Sequence, residues 1–428
     1  MTLSENKISR RRFLGQIGFG IAAASLQSQF SCSGKSNPNT PNILMIIADD
    51  WGYPHAGIYG DNVVKTPVFD SIARNGILFN NAYVSAPSCT PSRGALLTGQ
   101  HFWRLGPGAN LWSSLPLRYE TYPDILEGKG YYVGSCLKGW SPGNKREKSA
   151  TGKEYANFDE FLNKRPVGKP FCFWFGSYDP HRPYEWQTGI KSGLDIRDVE
   201  VPPFLPDNEI TRTDMCDYYF EVQRFDSDIG RLLKRLEETG ELENTIIVAT
   251  SDNGSPFPRC KCNLYDYGVR VPLAIQWGNK IKKEQVVDDF VNLIDLAPTF
   301  LEAANVQVPE EMDGNSLVDI FEGRNAGPAR DYVLFGRERH TPSQANHWGG
   351  YPMRGIRTKD FLYIRNFKPD RSPAGDKTSI RGPAYSDIDA SPTKEYLLQH
   401  RNDPNVAPLF DLACGKRPAD ELYDLRKD

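Results

Sequence analysis

Three largely apolar runs stand out along the chain, and each ends in polar residues. They occupy residues 42–48, 170–176 and 245–250. A short run that is apolar at successive positions, rather than at alternate ones, is typical of a strand buried on both faces of a parallel sheet. The sequence therefore predicts three central strands.

A helical pattern precedes the third of these runs. Phe225, Ile229, Leu232 and Leu233 fall on one face of a helix over residues 224–236. Alternation of strands and helices favours an α/β fold with a doubly wound sheet. From about residue 327 the pattern changes to short β-like segments at 332–335, 353–357 and 361–365, which indicate a small C-terminal sheet.

The N-terminus has the pattern of an export signal. Paired arginines at 10–12 precede an apolar run over residues 17–26, which is too short for a permanent membrane span but suits a signal peptide. The arrangement resembles a twin-arginine signal. Cys32 is a candidate lipidation site, although Gln29 stands where such sites prefer Leu. We expect an exported protein, either periplasmic or anchored to a membrane as a lipoprotein.

Length and composition narrow the class of protein. A chain of 428 residues has room for one large α/β domain and a smaller one. We expect an export signal over 1–34, a large α/β domain over 40–326 and a small C-terminal subdomain over 327–428. A net charge of −3 argues against nucleic acid as a partner. The eight cysteines show no C-x-x-C spacing, which argues against a zinc site or a disulfide framework.

Oxygen donors follow two of the predicted strands. Asp49 and Asp50 come directly after the first strand, and Asp252 and Asn253 come after the third. In open α/β sheets, ligands bind beyond the carboxyl ends of the strands. Adjacent carboxylates repel each other unless a cation lies between them, and these donors suit Ca²⁺ or Mg²⁺ rather than zinc. A solvated loop is the alternative interpretation.

His181 follows the remaining strand. An imidazole titrates near neutral pH, which makes this residue a candidate general acid. A histidine in a loop is otherwise most often a surface residue.

Cys89 stands at the start of a predicted helix, with Pro91 and Arg93 in its first turn. Proline is well placed there because its missing N–H would have no partner in that turn. Free backbone N–H groups at a helix N-terminus favour an anion beside Cys89, and Arg93 adds a fixed positive charge. A buried structural cysteine is the alternative.

Residues 89–99 match every fixed position of C-x-P-S-R-x-x-x-L-T-G, and the chain therefore resembles the type I sulfatases. The resemblance implies an alkaline-phosphatase-like sulfatase fold, with a large mixed sheet flanked by helices and a smaller C-terminal antiparallel sheet. It implies that residues 40–326 are the catalytic domain and that the subdomain over 327–428 is C-terminally short, because the family usually continues beyond a string such as E-L-Y-D-L at 421–425. It also implies that a sulfatase-maturing enzyme oxidises Cys89 to formylglycine, the nucleophile, and that Arg93 belongs to the catalytic site.

The resemblance extends to the other site residues. It implies one Ca²⁺ per chain, with ligands at Asp49, Asp50, Asp252 and Asn253. Lys138 and Lys261 match the basic residues that bind sulfate and take part in catalysis. His340 lies at the end of the first C-terminal strand, where we expect contact with a sugar.

One position departs from the family pattern. Most type I sulfatases have His two residues after the first lysine, where it is thought to assist sulfate elimination, and this chain has Trp140. Tryptophan cannot accept the proton. His55, His340 or a water must substitute, or elimination uses another base.

Three further strings resemble those of the heparan N-sulfatase group. They are D-P-H-R at 179–182, S-D-N-G-S-P-F-P at 251–258 and Y-P-M-R at 351–354. The resemblance implies a sulfatase acting on the N-sulfate of glucosamine in heparan-type chains, with a sulfated oligosaccharide as substrate and His181 protonating the leaving group. The oligomeric state is not predicted.

Three alternatives stay open. They are an O-sulfatase acting on another polysaccharide such as carrageenan, a phosphoester hydrolase on the related alkaline-phosphatase fold, and a catalytically inactive glycan-binding homologue. A phosphoester hydrolase is disfavoured, because those enzymes carry Ser or Thr as nucleophile and often two zinc ions. An inactive homologue would lose the maturation string, which this chain keeps complete.

Overall fold

The computed structural model describes residues 40–427 except 145, 325, 326, 328, 343, 345–348 and 379–382. The predicted export signal and Cys32 lie outside the described residues. Within the described ranges, no helix combines the length and the apolar character needed to cross a membrane.

A large mixed sheet forms the centre of the molecule. Its strands, in chain order, are β1 (Asn42–Ala48), β2 (Ile77–Tyr83), β3 (Tyr132–Leu137), β4 (Lys153–Glu154), β5 (Phe171–Gly176), β6 (Thr245–Ser251), β7 (Leu273–Gln276) and β8 (Gln285–Asn292). Their spatial order is β4-β3-β5-β1-β6-β7-β2-β8. Neighbouring strands run parallel, except that β7 is antiparallel to both β6 and β2.

The three apolar runs of the sequence are β1, β5 and β6, which lie side by side in this sheet. Every residue of the three strands is buried. Alternate side chains of β1 enter two separate cores on opposite faces of the sheet, with Met45 in one and Leu44 in the other. Burial on both faces explains why these strands are continuous apolar runs.

Helices cover both faces of the sheet. They are α1 (Pro67–Arg74), α2 (Cys89–Thr98), α3 (Tyr122–Gly128), α4 (Phe158–Lys164), α5 (Thr188–Lys191), α6 (Glu209–Glu238), α7 (Asp266–Val269), α8 (Leu296–Ala303), α9 (Val318–Phe321), α10 (Pro392–Gln399) and α11 (Ala407–Cys414). The helix predicted over 224–236 is the second half of α6, which begins fifteen residues earlier. The Asn208 side chain caps α6 by accepting a hydrogen bond from the Thr211 N–H.

A smaller antiparallel sheet follows in the C-terminal part. Its strands are β9 (Tyr332–Arg337), β10 (Met353–Thr358), β11 (Phe361–Asn366) and β12 (Asp420–Asp424), in the order β12-β11-β10-β9. The prediction of a large mixed sheet with a smaller antiparallel sheet is confirmed. The small sheet packs on the large one through the stacked rings of Tyr83 and Phe335, whose centroids are 5.8 Å apart.

Candidate active site

Four neighbouring strands bring polar residues to one edge of the large sheet. β3, β5, β1 and β6 are adjacent and parallel, so their carboxyl ends lie side by side. The predicted site residues follow these ends, with Lys138 after β3, His181 after β5, Asp49 and Asp50 after β1, and Asp252 and Asn253 after β6. The topology therefore gathers groups that are far apart in the sequence.

Three carboxylates and the Cys89 thiol form a compact buried cluster. The ligand atoms of Asp49, Asp50, Cys89 and Asp252 all lie within 4.8 Å of one another. Asn253 donates through Nδ2 to Asp50 Oδ1 at 2.7 Å, whereas its buried Oδ1 accepts no hydrogen bond from the described residues. A buried acceptor without a partner is costly. Because carboxylate and amide oxygens are the donors that Ca²⁺ and Mg²⁺ prefer, these residues fit a hard divalent cation.

Each carboxylate of the cluster is also paired with a buried cation, the pairs being Asp49 with Lys138, Asp50 with Lys261 and Asp252 with Arg93. Burial opposes the ionisation of Asp49, but Lys138 and the neighbouring cations outweigh it and hold the pKa of that carboxyl below its usual range. The pairing keeps Asp49 ionised, which is the state that metal binding requires.

Cys89 is the first residue of α2, a helix whose ten residues are all buried. Its thiol points to the carboxylate cluster, with Sγ 3.4 Å from Asp49 Oδ1. Burial raises the pKa of the Cys89 thiol well above its usual value. The unmodified side chain is therefore held as a protonated thiol, which is a weak nucleophile.

His181 lies at the edge of the cluster and is partly open to solvent. Its Nδ1 is 2.5 Å from the Arg182 carbonyl oxygen, and its Nε2 is 3.9 Å from Asp50 Oδ2. Arg182 fixes this loop to α6, donating from both terminal nitrogens to Asp214 at 2.7 and 2.9 Å. When Nδ1 donates to the carbonyl, Nε2 faces the cluster and is the atom available for proton transfer.

A cavity of about 700 Å³ opens over the cluster. The predicted site residues in its wall are Asp49, Cys89, Lys138, His181, Lys261 and His340. Arg93, Asp50, Asp252 and Asn253 are fully buried. The structure thus brings all ten predicted site residues to one region.

Sequence analysis missed Asp389, which also lines the cavity. Its Oδ2 is 3.1 Å from Lys261 Nζ, and 128 residues separate the two in the sequence. Burial opposes ionisation of this carboxyl, but Lys261 outweighs it and the pKa of Asp389 falls to about 2. Asp389 stands in a polar stretch outside any helix or strand, so no pattern in the sequence pointed to it.

His55 and His340, the two histidines considered as substitutes for the family histidine that Trp140 replaces, lie in different parts of the structure. Trp140 is a buried core residue. His55 hydrogen-bonds Tyr218 Oη at 3.2 Å and lines a different cavity. His340 lies in the wall of the candidate active site, with Nδ1 2.8 Å from Ser88 Oγ, and burial lowers the pKa of its imidazole to about 4. Of these two histidines, only His340 lines the active-site cavity.

Comparison with known families gives two matches. The family model described as Sulfatase matches residues 41–163 and 144–306. A second model, N-sulphoglucosamine sulphohydrolase, C-terminal, matches residues 260–372. The first match covers more than half of the chain and includes nine of the ten predicted site residues, all but His340.

Characterised relatives are similar over most of their length. An ulvan-active sulfatase of Formosa agariphila is 26% identical over 449 residues, covering 91% of this chain and 70% of that protein. The N-sulphoglucosamine sulphohydrolase of Homo sapiens is 28% identical over 440 residues, covering 90% of this chain and 84% of the human protein.

Solved structures share the fold. An enzyme in complex with its substrate D-glucosamine-2-N,6-O-disulfate superposes with a TM-score of 0.58 and 24% identity, covering 76% of this chain and 88% of that one. A phosphonate monoester hydrolase from Silicibacter pomeroyi reaches a TM-score of 0.64 at 18% identity, with coverages of 85% and 95%. The family match, these likenesses and the buried cluster agree, and this chain belongs to the sulfatase family of sulfuric ester hydrolases.

Proposed function

We propose that this protein removes sulfate from sulfated glycans, with a divalent cation, most favourably Ca²⁺, beside a formylglycine at position 89. The observation that carries the proposal is the buried cluster in which the Cys89 thiol, three carboxylates and the unpartnered Asn253 Oδ1 meet. Asp49, Asp50, Asp252 and Asn253 are the residues that would hold the cation. When bound, a cation there supplies electrostatic stabilisation of negative charge on the sulfuryl group and the nucleophile.

Modification of Cys89 is part of the proposal because the thiol itself is poorly suited to attack. Its raised pKa keeps it protonated at neutral pH. Residue 89 lies at the N-terminus of α2, where backbone N–H groups and the helix dipole favour a negatively charged group. A sulfatase-maturing enzyme is therefore an expected partner of this chain.

Two lysines and a histidine complete the proposed site. Lys138 and Lys261 line the cavity and would neutralise the sulfuryl oxygens. His181 would protonate the departing atom through Nε2. Export to the periplasm, as a free protein or a lipoprotein anchored through Cys32, remains a prediction from the N-terminal sequence.

The favoured substrate is the N-sulfate of a glucosamine in heparan-type chains. It is supported by the human N-sulphoglucosamine sulphohydrolase as a relative and by the C-terminal family model at residues 260–372. An O-sulfatase is the second candidate, since the relatives include ulvan-active sulfatases and an N-acetylglucosamine-6-O-sulfatase.

Comparison of two substrates tests both the substrate and the role of His181. An amine leaving group needs a proton more than an activated phenolate does. We expect His181→Ala to reduce kcat/KM on N-sulfoglucosamine by on the order of a hundredfold. The loss on an activated aryl sulfate should be much smaller.

The control is His400→Ala, which removes an exposed histidine at the end of α10 and should leave both rates unchanged. Equal losses on both substrates for His181→Ala would remove His181 from the role of general acid. A wild-type enzyme that cleaves O-sulfated galactans but not N-sulfoglucosamine would favour the O-sulfatase.

A further inference from the structure

Two large aromatic side chains at the cavity have no part in the proposed chemistry. Trp112 and Tyr178 line the same cavity as residue 89, yet they are 53% and 57% exposed. Burial of an aromatic ring is favourable, so rings left this open beside a binding cavity indicate surface available to a ligand. Of the large hydrophobic residues described in the cavity wall, these two alone are exposed.

The backbone holds Trp112 in place from both sides. On one side, Leu111 exchanges hydrogen bonds with Arg339, its N–H donating to the Arg339 carbonyl at 3.4 Å and its carbonyl accepting from the guanidinium at 3.2 Å. On the other side, the Ser113 carbonyl accepts from the Asn144 N–H at 2.7 Å. Trp112 itself has φ of 52°, in the left-handed region that residues other than glycine seldom adopt. Such a conformation persists where neighbouring contacts impose it, so the backbone that carries the indole is in place before a ligand arrives.

Tyr178 is fixed to the leaving-group side of the site. It lies two residues after β5, and its carbonyl accepts a hydrogen bond from the His181 N–H at 2.9 Å. Ser177, next to it, donates from its N–H to the Ile47 carbonyl at 2.9 Å. The tyrosine ring and the imidazole are thus carried by one anchored loop. A part of the substrate that contacts the tyrosine ring would therefore lie next to the leaving group that His181 is proposed to protonate.

The chemistry of the rings selects the occupant. The face of an aromatic ring is electron-rich, so it does not attract a sulfate or a carboxylate. A pyranose ring, in contrast to these anions, has an uncharged face of C–H groups that can cover the apolar surface of an aromatic ring. Pockets of about 300–1,000 Å³ hold drug-sized ligands, and this cavity of about 700 Å³ has room beyond the sulfated ring.

We propose that Trp112 and Tyr178 form a saccharide subsite for the ring next to the sulfated one, so that the substrate is recognised over at least two sugar rings. This inference rests on the proposed function and extends it, because it assigns residues to the sugar that carries no reacting group. The two aromatic residues bind and position this neighbouring ring, and they do not take part in proton or sulfuryl transfer.

Kinetics on substrates of two lengths test the subsite. The substrates are N-sulfoglucosamine and a heparan-derived disaccharide that carries the same N-sulfate on its non-reducing ring. We expect Trp112→Ala and Tyr178→Ala each to lower kcat/KM on the disaccharide about tenfold, mainly through KM, as the loss of a stacked apolar face implies. The monosaccharide should change by about twofold or less. Trp112→Phe and Tyr178→Phe keep a ring and should retain most of the activity.

The control is Trp186→Ala, because Trp186 is also exposed, at 41%, but does not line the cavity. Equal losses on the monosaccharide and the disaccharide, or an equal loss in the control, would overturn the subsite. A selective loss on an aryl sulfate alone would show that the rings hold an aryl group instead.

A binding measurement separates this inference from the proposed function. The Cys89→Ala variant cannot form the nucleophile, so calorimetric titration with the N-desulfated disaccharide reports on the subsite without turnover. Binding that Trp112→Ala weakens in this background supports the subsite even if the proposed substrate is wrong. Absence of binding to this disaccharide and to its N-sulfated form would overturn the subsite even if the enzyme is a sulfatase.

Discussion

At the scale of single residues, Arg93 connects the parts of the candidate site. Its side chain is fully buried and donates to Asp252 Oδ2 at 2.7 Å and to the carbonyl oxygens of Lys138, Gly139 and Ala48 at 3.0, 3.1 and 3.3 Å. A planar guanidinium can serve four acceptors at fixed angles, whereas an ammonium cannot reproduce that geometry. Arg93 therefore orients one proposed metal ligand together with the segment that carries Lys138, the proposed sulfate-binding lysine.

Replacement of Arg93 by lysine tests this role. Arg93→Lys keeps the positive charge but removes the planar guanidinium and its several N–H donors. We expect the affinity for Ca²⁺ to fall by about 10–100-fold, as is typical when a residue that hydrogen-bonds a metal ligand is replaced. Calorimetric titration of the metal-depleted protein measures the change. Arg165→Lys is the control, since Arg165 contacts both oxygens of Glu241, at 2.8 and 2.7 Å, in a pair that does not involve the cluster. Unchanged affinity in Arg93→Lys would contradict the assignment.

At the scale of elements, the long helix α6 supports the loop that carries His181. Asp214 of α6 binds Arg182, and Glu221 of α6 shares a hydrogen bond with Asp179. Burial, followed by the nearby Asp179, raises the pKa of Glu221 to about 7. One face of this helix thus contacts the loop that carries His181 through carboxyl groups as well as through an aromatic contact, with the ring centroids of Tyr184 and Tyr218 6.5 Å apart.

Glu221 gives the stability of the protein a defined dependence on pH. Its pKa in the folded protein, about 7, exceeds the unfolded value of 4.5, so the folded state binds this proton more tightly. The stabilisation is complete below pH of about 4.5 and is lost as the pH rises through about 7. We expect Glu221→Gln to remove this component, so that Tm between pH 5 and 7.5, at saturating Ca²⁺, falls less than in the wild type. Glu237→Gln, at an exposed position of the same helix, should keep the wild-type slope, and identical slopes for all three proteins would count against the assignment.

The same helix shows what the sequence could and could not predict. The buried strands β1, β5 and β6 were predicted to within one residue at each end, because a strand buried on both faces is apolar throughout. The first half of α6 was missed because Asp214, Asp217 and Glu221 are buried on its inner face and interrupt the apolar pattern. Most of their partners, such as Arg182 for Asp214 and Gly189 for Asp217, are distant in the sequence, and a pattern along the chain does not reveal contacts of that kind.

The residues of the candidate site likewise include some that the sequence pattern could predict and some that it could not. Residues that directly follow a buried strand, such as Asp49 and Asp252, could be predicted because the strand fixes their place. Cys89 and Lys261 depended on resemblance to a family. Asp389 was missed because a long C-terminal segment folds back over the sheet, and only tertiary structure places it beside Lys261.

At the scale of the whole molecule, the two sheets share one core. Phe335 of β9 and Met353 of β10 belong to the same buried cluster as Met45 of β1 and Phe290 of β8. The C-terminal part also completes the cavity wall, because Asp389 and His340 come from it. The small sheet is therefore part of the folding unit that forms the candidate active site.

A shared core predicts cooperative unfolding. We expect scanning calorimetry to show one transition, coincident with the change in tryptophan fluorescence. Phe335→Ala should destabilise the protein by about 3–5 kcal/mol, because it removes a buried ring at the contact between the sheets. The Tm measured by calorimetry and the Tm measured by fluorescence should fall together. Two resolved transitions, with only the smaller one shifted by Phe335→Ala, would contradict a single unit.

The chemical state of residue 89 tests the central claim most directly. Protein prepared with and without a sulfatase-maturing enzyme should differ in the fraction of residue 89 present as aldehyde, which peptide mass spectrometry quantifies. The sulfatase rate, measured on the same samples at saturating Ca²⁺, should rise in proportion to that fraction and be absent in Cys89→Ala. Full activity from protein whose Cys89 is entirely unmodified would contradict the account.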